Sequence, residues 1–266
     1  MKDKIGGDSF ERKLPNDEEP QVAIMYGIVG LGTHKKTKYK STELIDKREM
    51  LFLFELTEDF IEMKDGEEKP MTVNMRITRS MDDRSNLYRF VKNWIGAKYL
   101  EQNEYMDWKK FIGGVGQIEL LNKVSQNDRK YTKVENFTRI PKGSPKPTRF
   151  NNKFFFDIED DQPDWDSFLL MPKWVMKIVE ESSEWRALLK SGKIPDHILE
   201  ELEEEEENEK QERHKEKRKR PEKVTASVEE AEDEGDGADL FGGEDDEIPW
   251  DIENEGDDEE SEYPTV

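Results

Sequence analysis

The chain has 266 residues, with 42 Lys/Arg against 64 Asp/Glu, no cysteine and three histidines (His34, His197, His214). The missing cysteine excludes disulfides, a thiolate nucleophile and Cys-ligated zinc, and three scattered histidines do not make a zinc centre. The net charge of −22 is concentrated at one end: residues 201–266 hold 8 Lys/Arg against 29 Asp/Glu, a net of −21, leaving the first 200 residues close to neutral.

Residues 1–20 are charged, lack the apolar stretch of a signal peptide and read as a flexible polar arm. Gln21–Gly32 (QVAIMYGIVGLG) is apolar and β-branched, and Gly27, Gly30 and Gly32 would relieve crowding where this strand bends. A basic loop is expected over 33–48, carrying Lys35, Lys36, Lys38, Lys40, Lys47 and Arg48. Glu49–Leu56 (EMLFLFEL) is too continuously apolar to be half-exposed and predicts a buried strand running on toward Met63, with a hairpin closed at Asp65–Gly66. Met71, Val73, Met75 and Ile77 then alternate with polar residues, a strand with one inward face.

The period changes next. Leu87, Phe90, Val91 and Trp94 form a helical stripe that Gly96 is expected to end, and a shorter helical piece is expected over Glu104–Phe111. Val115–Val124 and Lys130–Ile140 read as strands joined by the turn Ser125–Arg129, and Phe154–Ile158 as a short extended piece. Trp165–Leu189 is apolar at helical spacing and is expected to dock on the body. Residues 198–220 are almost wholly charged, and 225–266 are acidic and expected to be disordered. The predicted organisation is an N-terminal arm (1–20), a β body (21–150), a docked helical extension (151–195), a charged helix or linker (196–224) and the acidic tail (225–266).

Strand, strand, strand, helix, strand, strand is the order of an oligonucleotide-binding (OB) fold, so the expected class is mainly β with helices, an OB-like five-stranded barrel. In that fold the strand 1–2 and strand 4–5 connectors flank the ligand. Here both are basic: residues 121–153 alone carry 9 Lys/Arg against 2 acids. Single-stranded nucleic acid is held by cations that track phosphates and by rings on which bases stack. The residues of that chemistry are Lys35, Lys36, Lys38, Tyr39 and Lys40 in the first connector, and Arg76 and Arg79 on or just past strand 3. Around the second connector they are Arg129, Lys130, Tyr131, Lys133, Phe137, Arg139 and Lys142. The two connectors are expected on one side of the barrel.

No chemistry-bearing motif accompanies them. Gly27/Gly30/Gly32 is not a dinucleotide fingerprint, and no P-loop, nucleophile elbow or HExxH is present. The acids Asp157, Glu159, Asp160, Asp161, Asp164 and Asp166 lack the glycine and the twelfth-position Glu of a calcium loop, so they read as surface. No enzyme, metal or cofactor is expected. In the tail, Ile248-Pro249-Trp250 among acids reads as a docking element, and it is similar to the acidic, proline-containing tail tips of bacterial single-stranded DNA-binding proteins.

Met75–Gly96, with Ser85-Asn86-Leu87 opening a helix that closes on Trp94-Ile95-Gly96, resembles a family of tailed-phage proteins of the replication or recombination region. So do Phe111-Ile112-Gly113-Gly114, the following strand pair, Pro141-Lys142-Gly143 and the run from Phe168 to Trp185. The resemblance implies an OB-fold single-stranded DNA-binding protein and transfers no binding residue. The expected function is to coat single-stranded DNA in phage replication or recombination in the host cytoplasm, the tail competing for the basic surface and recruiting replication or recombination proteins. The alternative is a protein-binding phage adaptor, or a DNA mimic acting on a recombinase or host factor.

Overall fold

A computed structural model describes residues 13–38, 41–63, 66–125, 130–141, 143–204 and 207–208. Six strands form one sheet: β1 (Gln21–Thr37), β2 (Leu44–Glu62), β3 (Glu68–Thr78), β4 (Val115–Val124), β5 (Lys130–Arg139) and β6 (Phe154–Asp157). The hydrogen-bonded order is β3-β2-β1-β4-β5, all antiparallel, and β6 adds in parallel to β1.

The sheet is open. β3 and β5 are the two ends of its path and share no ladder, so the strands do not close into the expected five-stranded barrel. They nevertheless approach one another, and Val73, Met75 and Ile77 of β3 enter the same core as Val134 and Phe137 of β5.

The continuous apolar run in β2 has a direct explanation, because side chains alternate faces along a strand. Met50, Phe52, Phe54 and Leu56 enter one core, while Leu51 and Leu53 enter a second on the opposite face. The first core is plugged by α1 (Asn86–Phe90), capped by the Ser85 hydroxyl accepting from Tyr88 N at 3.1 Å. A π turn follows over Val91–Gly96 and sets Trp94 almost parallel to Phe90, ring centres 5.9 Å apart. Gly96, at φ 121°, interrupts the helix without ending it: α2 (Ala97–Gln102) follows. The helix expected over Glu104–Phe111 is only a 3-10 turn, Trp108–Phe111, whose Trp108 is buried beside Phe52.

The second core is covered by α3 (Trp165–Leu169), α4 (Lys173–Glu180) and α5 (Ser183–Lys190), with Phe168 stacked on Trp185 and tilted against Phe156. The apolar stretch therefore docks on the body as its pattern predicts, but as three short helices. Further helical turns occupy 196–204. All described residues fall in one unit, Met1–Thr225. Among them no helix is long and apolar enough to cross a membrane.

β1 bends at two register shifts, Met25/Gly27 and Gly30/Gly32, where the expected glycines sit. A Cβ on Gly27 would lie 2.7 Å from the Phe154 ring, and one on Gly30 would overlap the Asp157 carboxylate. These glycines admit β6 against β1.

Candidate nucleic-acid interface

Lysine does not break a strand, and the expected basic loop is mostly strand. β1 and β2 stay paired through Thr33↔Arg48, His34↔Lys47, Lys35↔Asp46, Lys36↔Ile45 and Thr37↔Leu44. The connector shrinks to the tip around 38–43, where Lys38 N donates to Glu43 O at 2.8 Å and Lys38 Nζ stands 3.4 Å from Glu43. Lys35 and Lys38 are exposed and Lys36 is half-buried. Tyr39 and Lys40 lie outside the described residues.

The strand register fixes where the second connector stands. β4 starts beside Ile24, passes Gln21 at Ile118 and continues for six residues beyond the start of β1. The β4–β5 turn thus lies past one end of β1 and the β1–β2 tip past the other. The expectation that the two connectors stand together on one side is corrected: an antiparallel neighbour of β1 that overruns its start must turn at that end.

The nominated residues divide by what they already touch. Arg76 is mostly buried and ion-paired through Nε and Nη2 to Glu49. Arg79 Nη1 donates to Asp157 at 2.8 Å and to Glu159 at 2.6 Å. Lys133 Nζ is 3.0 Å from Glu135, with its side chain only 14% exposed. Phe137 is buried in the first core, edge-on to Phe90 at 4.9 Å, so it offers no face to a base. The guanidinium of Arg139 lies against Gly96, which leaves no room there for a Cβ. Tyr131 is half-buried, opposite Lys123 across the β4–β5 ladder, and Lys130 is exposed. Arg129, Lys142 and the tail residues Ile248, Pro249 and Trp250 lie outside the described residues. Lys133 lies two residues before Glu135 on one strand face, a local signal for its pairing, whereas the partner of Arg76, Glu49, stands on the neighbouring strand two positions off its register and leaves no local signal.

The acids read as plain surface are in part structural. Arg48 forks onto Glu159 through Nε and Nη2, and Glu159 also accepts from Arg79. Glu159 N in turn donates to Asp157 at 3.2 Å. The network fastens the turn after β6 to β2 and to the residue following β3. Its hydrogen bonds to Glu159 push the Arg48 guanidinium above its ordinary pKa. An open cleft of about 430 Å³ beside it is lined by Arg48, Arg79, Trp108, Lys109 and Phe155, with Asp107 and Asp160. Its arginines are already neutralised by carboxylates. On the edge of β1, Glu184 accepts from Thr33 N and Thr33 Oγ1, both at 2.7 Å. Burial pushes the Glu184 carboxyl up, and these two bonds, with its own backbone N–H and the nearby His34, together outweigh it, so its pKa is lowered. No group of His, Asp or Glu side chains among the described residues is arranged to hold a metal.

Of the nominated cations on the β1–β2 ribbon, Lys35 and Lys36 keep a solvent face without an ion pair, whereas Lys38 pairs with Glu43; on β4–β5, Lys123 stands 3.8 Å from Glu135. A set of this kind can hold phosphates. No family model matches the chain, and neither a curated protein nor a solved structure matches it.

Proposed function

We propose that the protein binds single-stranded DNA without modifying it, in replication or recombination, through an OB-like body governed by an acidic tail. The observation that carries this reading is the sheet itself: the strand order β3-β2-β1-β4-β5 with α1 between β3 and β4 is that of an OB fold parted between β3 and β5. The cationic β1–β2 ribbon is in keeping with it, occupying the place of a ligand-flanking connector.

The helical extension alters where a strand would lie. In an OB fold the outward faces of strands 2 and 3 carry the ligand. Here Leu51 and Leu53 of β2 are sealed beneath β6 and α3–α5. What remains on that side of β3 is Thr72, Asn74 and Thr78, with Arg76 held by Glu49. The single strand accordingly runs along the ribbon and the β4–β5 hairpin rather than over the centre of the sheet.

The tail holds no basic residue after Lys223. Tethered to the body, it is present at an effective concentration on the order of millimolar and competes with weak polyanions for the lysines. Removal of residues 225–266 is expected to raise oligo-dT affinity several-fold at low salt and to change it little at high salt, read by fluorescence anisotropy. Unchanged or weakened binding in the shortened chain would refute the competition. The same charge favours a second reading, a DNA mimic or adaptor that binds a protein; absence of oligo-dT binding by both chains would select it.

A further inference from the structure

Beyond Arg48 the β1–β2 pair stands alone. The β3 register begins at Glu49↔Thr78, β6 leaves β1 at Gly30, and β4 pairs only with the first residues of β1. Among the described residues, no third strand joins 33–37 or 44–48. Five cross-strand pairs make a two-stranded ribbon roughly 17 Å long at the ordinary rise per residue. Its root is fixed on both strands, by Thr33 on Glu184 and by Arg48 on Glu159.

The two faces of this ribbon differ. One carries Lys35 opposite Asp46, and Arg48 already forked onto Glu159. The other carries His34, Lys36, Ile45 and Lys47, with no acid before Glu49, which Arg76 occupies. His34 is buried with its Nε2 3.1 Å from Leu31 O, and burial, then the Arg76 charge, lower its pKa. The unbalanced charge on that face is thus Lys36 and Lys47. The Lys38–Glu43 pair at the tip is exposed on both sides and is readily exchanged for a phosphate.

Single strands are held largely by stacking, and ring faces are what this element lacks. Apart from buried His34, Tyr39 is the only aromatic residue between 33 and 48. A rooted, lysine-faced, two-stranded ribbon matches instead a preformed groove: the major groove of duplex DNA, about 12 Å wide, admits a two-stranded β-ribbon.

We infer that the β1–β2 ribbon engages duplex DNA, so that the favoured ligand is a junction between single strand and duplex. This rests on the single-strand reading and adds duplex as a second, preferred partner for the ribbon. Contacts from Lys36 and Lys47 to phosphate position the protein and read no sequence.

The test uses the full chain and three fluorescent ligands: oligo-dT, a blunt duplex, and the same duplex with a dT overhang. The overhang ligand is expected to bind about five- to tenfold more tightly than oligo-dT of equal overhang length. The double variant Lys36→Gln/Lys47→Gln is expected to remove most of that advantage, weakening the overhang ligand several-fold more than oligo-dT. Lys36→Arg/Lys47→Arg should retain the advantage, and both variants should melt within a few degrees of the parent, since neither lysine is ion-paired and each substitute keeps part of the half-buried alkyl stem. The salt slope on the overhang ligand should fall by about 0.9 per phosphate contact removed. Equal binding of overhang ligand and oligo-dT, or equal losses on both ligands in the Gln variant, would overturn the assignment. Failure of the parent to bind oligo-dT with duplex binding retained would overturn the single-strand reading and support the ribbon's role.

Discussion

Two buried polar side chains, His34 and Glu55, show how position along a strand decides a residue's work. His34 sits in a lysine-rich stretch, yet its ring is inside, and the Leu31 carbonyl can only accept, so Nε2 carries the proton. Its lowered pKa means that the unfolded chain takes up a proton, near pH 6.5, before the folded one does. Above that pH the residue has no effect on stability; below it stability falls, and the loss levels off under the folded-state pKa. The thermal midpoint is therefore expected to drop as pH falls below about 6.5, and the drop should be shallower in His34→Gln. An unchanged profile in the variant would contradict this. Glu55 is fully buried in β2 and accepts from Phe150 N at 2.8 Å and from Asn151 N and Nδ2, both at 2.7 Å. Its charge, after burial, helps to push the Tyr26 hydroxyl up to about 12. Glu55→Ala leaves those donors without an acceptor and is expected to cost about 1–3 kcal/mol in urea unfolding. A loss under about half a kcal/mol would show that water replaces the carboxylate. Neither role was legible in the sequence, because both depend on partners 3 to 96 positions away that share no local pattern.

Elements with a strong local pattern were legible; those decided by tertiary partners were not. The alternation of Met71, Val73, Met75 and Ile77 is β3, and the Leu87–Trp94 stripe is α1 with its π turn. The doubly buried β2 was legible in EMLFLFEL because a strand with cores on both faces has no polar side to show. The 33–48 stretch was misread as loop because lysine content was weighed above its Thr, Ile and Leu alternation. Phe137 was placed at a ligand surface although it lies three residues after Val134, and the Glu119/Leu120 register shift turns both inward. The bends of β1 were legible in its glycines, and their tolerance is testable. Gly30→Ala should displace Asp157 from Arg79, loosen β6 and lower the thermal midpoint by several degrees. The same substitution at Gly66, where a Cβ meets nothing but φ is +83°, should cost about 1 kcal/mol, from backbone strain alone. Equal effects at the two sites would remove the close approach as the cause.

Across the whole molecule, charge is divided between a near-neutral body and a polyanionic end, and this division was the clearest statement the sequence made. The body's layers were only partly legible: composition could show that the helical extension docks, but not that it seals the outward face of β2. Under the proposed function, that sealing and the placing of the two connectors past opposite ends of β1 leave a nucleic acid only the periphery of the sheet. Binding at such a periphery depends on phosphate contacts made by exposed lysines and is screened by salt. The most direct test of the account is oligo-dT affinity of the full chain measured by anisotropy over a range of salt. The account predicts a linear fall of log K with log salt, at about −0.7 for each phosphate contacted. A salt-independent affinity, or no binding at the lowest salt, would contradict it.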